Sequence, residues 1–329
     1  MPKINQEDIQ ILTRNSNWSE TDIAATLQKQ VYNDKAAWQQ FLQLLFISLG
    51  IAFSVAGILF FFAYNWADLH KFVKIGLVEG LIIALTLVAV FTNVKQLYKN
   101  IILTGTSILV GVLFAVFGQI YQTGANAYDF FMGWTMAIAL WTLVSNFATL
   151  WLLFLVLINV TFGLYVEQVA PDWADLLVFS YFIIGNSIFL IVALLLKSKK
   201  FTIPNWFTYV LAIVIVGSIT QGFFFGIFSN DKSYFINVAL PLLVLYPLGI
   251  YYGYKQKQTF YLSIIPFSII LIISAYLVKA VSFDDFMMLL FVGIFVVVSV
   301  TLIIKMLLKL QKKWKNENSL ESESQISEN

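Results

Sequence analysis

Three carboxylates, Asp68, Glu79 and Asp129, are the residues of this chain best suited by type to take and return a proton. General acid–base chemistry needs such groups within hydrogen-bond reach of a reacting atom, with their pKa tuned by the surroundings. The polar residues around them in sequence are amides and aromatics. Gln119, Tyr121, Gln122 and Asn126 lead up to Asp129, and Asn65 and Trp66 come just before Asp68. No nucleophile–base pair accompanies them. The chain has no cysteine and one histidine, His70, which removes disulfides, thiolate nucleophiles, Cys-based metal sites and paired-histidine metal sites. It also lacks a phosphate-binding glycine loop, so ATP-driven transport by this chain alone is excluded. The expectation is a protein that is not an enzyme, with no metal, no cofactor and no nucleic-acid partner.

The elements that must position these residues are membrane helices. Hydrophobic residues make up 60% of the sequence and charged ones 12%, against about 45–50% and 25% in globular domains. A spanning helix needs about 20 mostly apolar residues to cross a core of roughly 30 Å. Runs of that kind fill 41–64, 72–92, 101–120, 131–145, 148–166, 176–197, 207–228, 234–253, 260–279 and 286–308. The fold class is therefore all-α: a polytopic transmembrane helical bundle of about ten spans. The fourth and fifth runs are the weakest. They have only Ser145-Asn146 as a turn between them, and a hairpin that does not fully cross is the alternative.

Charge sets count and orientation. With the N-terminus in the cytoplasm, sixteen of the twenty basic residues lie inside, and only Lys71, Lys74, Lys232 and Lys279 fall outside. This is the positive-inside pattern. Fusing the fourth and fifth runs into one span would turn the lysine-rich loops outward. Ten spans with both termini cytoplasmic, in the inner membrane, is the better account. The domain reading is a cytoplasmic helical leader at 1–40, five-span membrane units at 41–166 and 167–308, and a disordered cytoplasmic tail at 309–329, rich in Ser, Glu and Asn. Within the leader, Ser19 is a candidate helix cap, and Asn33 or Asp34 would open the helix that enters the membrane.

Small residues recur three or four apart in the first three spans: Gly50, Ser54 and Gly57; Gly76, Gly80 and Ala84; Ser107, Gly111, Ala115 and Gly118. Such stripes let helix backbones approach closely in lipid, which predicts a compact three-helix unit. Glu79 stands beside the second stripe, roughly 8–10 Å below the outer boundary. It either faces neighbouring helices or is an interfacial residue, neutral or paired with Lys71 or Lys74. Gln119, Tyr121, Gln122 and Asn126 either tie helices together or line an outward-facing polar pocket with Glu79, Asp129, Asn65 and Trp66. Span lengths place Glu79 at nearly the height of Gln119 and Tyr121. In the second half Asn186, Gln221, Asn237 and Pro241, Pro247 and Pro266 interrupt the apolar runs.

The exit Ala63-Tyr64-Asn65-Trp66, the motif Gly118-Gln119-Ile120-Tyr121-Gln122 and Trp134 beyond it resemble a bacterial integral-membrane family catalogued as domain of unknown function 2157. The resemblance covers about residues 8–165. It implies a membrane protein with a short cytoplasmic helical leader and supplies no activity. Two functional readings follow for a chain whose certain partner is the lipid bilayer. One is a non-catalytic structural, sensing or partner-binding component, joined to another membrane protein or to a second copy of itself. The alternative is a small-solute transporter or permease using the outward polar pocket. The sequence names no small-molecule ligand.

Overall fold

The computed structural model describes residues 35–65, 70–121, 124, 126–198, 203–229, 232–280 and 285–327. The leader positions Ser19, Asn33 and Asp34 lie outside them. The described residues form ten helices and no strands. These are α1 (Lys35–Asn65), α2 (Lys71–Phe91), α3 (Gln96–Tyr121), α4 (Ala127–Ser145), α5 (Ala148–Gln168), α6 (Asp175–Ser198), α7 (Asn205–Phe228), α8 (Phe235–Lys255), α9 (Thr259–Ala280) and α10 (Asp285–Ser327). All ten are long and apolar enough to cross a membrane, and each coincides with one of the expected runs to within a residue or contains it. α4 starts a full turn earlier than its apolar run, because Ala127 to Phe130 join the helix after Asn126. The turn into α5 is made at Asn146, whose left-handed backbone (φ 45°, ψ 39°) closes α4; asparagine tolerates that conformation better than most residues.

Polar side chains inside these helices are mostly satisfied by their own backbone. Thr86, Thr104, Thr106, Ser107, Thr135, Thr142 and Thr161 each donate to the carbonyl four residues earlier, at 2.7–2.9 Å. In a solvent without hydrogen-bond partners this is how a hydroxyl can be accommodated without a second helix.

The chain divides into two compact units, Met1–Phe154 and Leu155–Asn329. The division falls inside α5, twelve residues before the boundary that the sequence reading drew between 166 and 167, near the end of the same helix. In the N-terminal unit Val55 of α1, Val78 of α2 and Leu109, Val112 and Val116 of α3 form one core, as a three-helix unit requires. In the C-terminal unit Leu176 and Ile183 of α6, Ile215, Val216 and Ile219 of α7, Val238 and Tyr246 of α8 and Ile265 of α9 form the other.

The small-residue stripes behave differently from expectation. On α3 Ser107 and Gly111 are buried and Ala115 and Gly118 partly so, and the glycines of this helix receive side chains and not a neighbouring backbone. A Cβ on Gly111 would fall 2.5 Å from the Trp134 ring, one on Gly105 2.4 Å from Ile51, and one on Gly118 3.3 Å from Phe130. α4 returns the arrangement at Gly133, which receives Phe114. Trp134 then donates its indole N–H to Ser107 O at 2.7 Å. On α1 and α2 nothing lies within 4 Å of a Cβ at Gly50, Gly57, Gly76 or Gly80. The core faces of these helices carry Ile51, Val55 and Ile58, and Ile75, Val78, Ile82 and Leu85, which leaves the glycine stripes turned outward.

The tail expected to be disordered is helical to Ser327 as the continuation of α10. Trp314 of this extension is 7% exposed and lies 6.1 Å from the Tyr254 ring. Glu317 pairs with Lys257 at 3.4 Å and with Lys313 at 3.9 Å. A buried aromatic and an i,i+4 pair supply the contacts that the Ser/Glu/Asn composition alone does not suggest.

Candidate functional site

The residues singled out in the N-terminal unit are only partly brought together. α2 begins and α3 ends at the same end of the unit, where Lys71 Nζ stands 5.9 Å from the Tyr121 ring and 5.3 Å from that of Phe72. Tyr121 also packs on Phe117, centroids 4.5 Å apart. His70 caps α2 by accepting from the Phe72 N–H at its Nδ1 (3.4 Å). Asn65 closes α1, and Trp66, Asp68 and Gln122 lie outside the described residues. Gln119 and Asn126 are exposed. Asn126 precedes α4 without a side-chain capping bond; its carbonyl accepts the Asp129 N–H at 3.2 Å. Asp129 occupies the first turn of α4, where a carboxylate complements the helix dipole.

Glu79 is separated from this group. It is eight residues below Lys71 on α2, which is roughly 12 Å along the axis, whereas Gln119 is roughly 3 Å from Tyr121. Counted along both helices from the Lys71–Tyr121 contact, Glu79 lies about 9 Å deeper than Gln119. Its direction also differs from the expected one. Val78 points to the core while Glu79, Gly76, Gly80 and Ala84 are exposed on the remaining faces of α2. The ion pairs among the described residues, Lys257–Glu317 and Lys313–Glu317, do not include it, and Lys74 on the same helix is buried, at 7% exposure.

The C-terminal unit contains two polar constellations at membrane depth. Asn159 of α5 and Asn186 of α6 exchange side-chain amide hydrogen bonds, at 2.7 and 3.1 Å. Each also donates to its own helix, to Leu155 O and Phe182 O, both at 2.8 Å. Beside them is a cavity of ≈ 230 Å³ walled by Phe162, Tyr181, Phe182 and Phe189. The second is a chain of hydroxyls across three helices. Thr220 of α7 meets Ser268 of α9 at 2.6 Å, and Ser268 meets Tyr246 of α8 at 2.5 Å. Pro247 adjoins Tyr246 and Pro266 is two residues before Ser268, so the hydroxyls bridge the helices where prolines remove backbone hydrogen bonds. Asn186 was legible in the sequence as an interruption of an apolar run; Asn159, Thr220, Ser268 and Tyr246 were not. Gln221, marked by its polarity, is exposed one residue from Thr220.

With this geometry in place, comparison with known proteins bears on the N-terminal half. Residues 19–151 match the family model described as Predicted membrane protein (DUF2157). The DUF2157 match takes in α1 to α4 and the start of α5, and with them every candidate residue from Asn65 to Asp129. It agrees with the resemblance read from the sequence motifs and assigns the DUF2157 segment to a membrane without an activity. The Asn159–Asn186 pair and the hydroxyl chain fall beyond its end. No curated protein and no solved structure matches the chain.

Proposed function

We propose that this multi-pass membrane protein is a non-catalytic, partner-binding component of the inner membrane, both termini cytoplasmic, and that the outward face of α2 receives a helix of another membrane protein. The observation that carries this reading is the exposure of Glu79, about 12 Å into a spanning helix. A carboxyl group in a transmembrane helix is costly, about 2.5–3.5 kcal/mol near the centre on insertion scales, and such groups face a bundle interior or a polar partner. Among the described residues Glu79 is exposed, lies off the core and takes part in no ion pair. Gly76 and Gly80 flank it with open space at both Cβ positions, so a second helix can approach closely enough to offer the carboxyl a donor.

The permease reading draws on a joint pocket of Glu79, Gln119 and Tyr121. The separation along the helix axes, about 9 Å from Gln119 and about 12 Å from Tyr121, weighs against it. The absence of cysteine makes the test direct. Single cysteines at Gly76, Gly80 and Ile83, with Val78 as the core-facing control, are reacted in native membranes with a maleimide–benzophenone, photolysed, and the adducts sequenced. The outward positions are expected to join one defined membrane polypeptide, and Glu79→Leu is expected to abolish the adduct. Adducts confined to the chain's own C-terminal unit, or to lipid, would overturn the reading.

A further inference from the structure

Two lysines far apart in sequence, Lys232 before α8 and Lys279 at the end of α9, meet on one backbone oxygen at the end of α7. Lys232 Nζ donates to Gly226 O and, at 3.4 Å, to Ile227 O, and Lys279 Nζ also donates to Ile227 O. Two donors on one oxygen stand within about 6 Å of each other. The turn into α8 fixes Lys232 in this place. Its carbonyl accepts the Phe235 N–H at 3.1 Å, Tyr234 takes a left-handed backbone (φ 66°), and the Phe235 ring lies where Gly226 has no side chain. Lys279 is carried by α9, which the Thr220–Ser268 bond joins to α7.

A helix C-terminus carries about half a negative charge, which one cation balances. The end of α7 has two, so it is positive in excess. Each ammonium has three donors; Lys279 uses one and Lys232 two, which leaves three. Both lysines are exposed, and neither is in an ion pair among the described residues. The side chains of Asp231, Asp284 and Asp285, the acids closest in sequence, lie outside those residues. α7 has 24 residues and α9 has 22, about 36 and 33 Å of helix, longer than a hydrocarbon core of roughly 30 Å. Their shared end therefore reaches headgroup depth. On the orientation proposed above it is the outer end, and these are the basic residues that the C-terminal unit leaves outside against the charge bias. Two ammonium groups this close can each hold an oxygen of a single phosphate at about 2.8 Å. We propose that Lys232 and Lys279 together bind a phosphate group at this end of α7, either that of a membrane phospholipid or the free anion.

The test uses the full-length protein in a maltoside detergent, which carries no phosphate, so it does not depend on which membrane face the site occupies. Phosphatidylglycerol with a diazirine in its headgroup is photolysed on the protein, and an otherwise identical glyceride lacking the phosphate is the parallel probe. Adducts are expected on Phe228 and Tyr276, which neighbour the two lysines on α7 and α9 and are 51% and 62% exposed. The phosphate-free probe should label them about tenfold less, and Lys232→Gln and Lys279→Gln should each lower the phosphatidylglycerol adducts about tenfold, the worth of one charge-assisted hydrogen bond. Lys279→Arg, which keeps the charge, should retain them. Lys255→Gln, at the exposed far end of α8, should leave them unchanged. The two probes are compared on the unsubstituted protein, so that comparison decides the proposal even where a variant unfolds. Excess inorganic phosphate at constant ionic strength tells the sources apart: loss of the adducts marks the free anion as the ligand, and persistence marks the phospholipid. The proposal is overturned if both probes label Phe228 and Tyr276 equally, if neither glutamine variant lowers the labelling, or if Lys255→Gln lowers it as much as they do.

Discussion

Two asparagines show how much a single polar residue decides in this molecule. An amide facing lipid leaves two donors and an acceptor without partners, so Asn159 and Asn186 satisfy one another across α5 and α6 and divide their remaining donors between Leu155 O and Phe182 O. Interhelical hydrogen bonds in membranes contribute about 0.6 kcal/mol on average and up to about 1.7. Replacing one asparagine by alanine should exceed that figure, because the partner, 3% exposed in the case of Asn186, is left unsatisfied. We expect Asn159→Ala and Asn186→Ala each to destabilise by about 1–3 kcal/mol. The double substitution should cost clearly less than the sum, as a double-mutant cycle of reversible unfolding in detergent would read. Strict additivity would mean that the pair is not a unit. The same logic applies to Ser268, which touches both Thr220 and Tyr246. Ser268→Ala should lower stability more than Thr220→Ala, since it takes the partner from the Tyr246 hydroxyl, whose residue is 3% exposed, whereas in Thr220→Ala Ser268 keeps its bond to Tyr246.

At the scale of elements, the aromatic-into-glycine packing of α3 and α4 predicts that added volume is costly. Gly111→Ala places a methyl group 2.5 Å from the Trp134 ring, and overpacking of this kind costs about 1–3 kcal/mol. Trp134→Leu in the same chain should recover part of the loss, whereas Gly76→Ala, in open space, should leave thermal stability of the purified protein within about 0.5 kcal/mol. The α10 extension supplies a contrast of magnitudes. Trp314→Ala should cost about 3 kcal/mol, the lower end for a buried aromatic, while Glu317→Gln, breaking ion pairs between side chains that are 38–60% exposed, should cost no more than about 1 kcal/mol. Helix existence was legible from the sequence because it follows from the length of apolar runs. Helix facing was not. A soluble helix announces its buried side by hydrophobic periodicity, but a helix in lipid is apolar on every side, so nothing in residues 72–92 says that Val78 points inward and Glu79 outward. The glycine stripes mark where close approach is sterically permitted without saying what approaches. On α3 it is Trp134 and Phe130, and on α2 no residue within 4 Å.

For the whole molecule the open quantity is how the chain threads the membrane, and α4 and α5 decide it. α4 has 19 residues and α5 has 21, about 28 and 31 Å of helix, each close to the thickness of a hydrocarbon core of roughly 30 Å. Both lengths suffice for a crossing, and with the N-terminus inside they bring the Asn146 turn to the cytoplasmic face. The usual assay, labelling a residue far downstream, does not test this. Two crossings and a re-entrant hairpin change the parity equally, so a cysteine at Asp172 or Lys255 reports the same side in either case. Only a single fused span would reverse it. The informative position is Asn146 itself. In the cysteine-free chain, Asn146→Cys should react with an impermeant maleimide only after the inner membrane is permeabilised, as Lys99→Cys does, while Asp172→Cys should react in intact spheroplasts. Reaction of Asn146→Cys in intact spheroplasts would make α4 and α5 a hairpin that returns to the outer face, and labelling of Lys255→Cys there would invert the C-terminal unit. The lysine distribution argues against inversion, because it would turn Lys197, Lys199, Lys200, Lys255 and Lys257 outward against the charge bias that orients multi-span proteins. It is silent on the hairpin, since no basic residue occurs between Ile101 and Leu196. Helix length favours the crossing there, and Asn146 is where the two alternatives part.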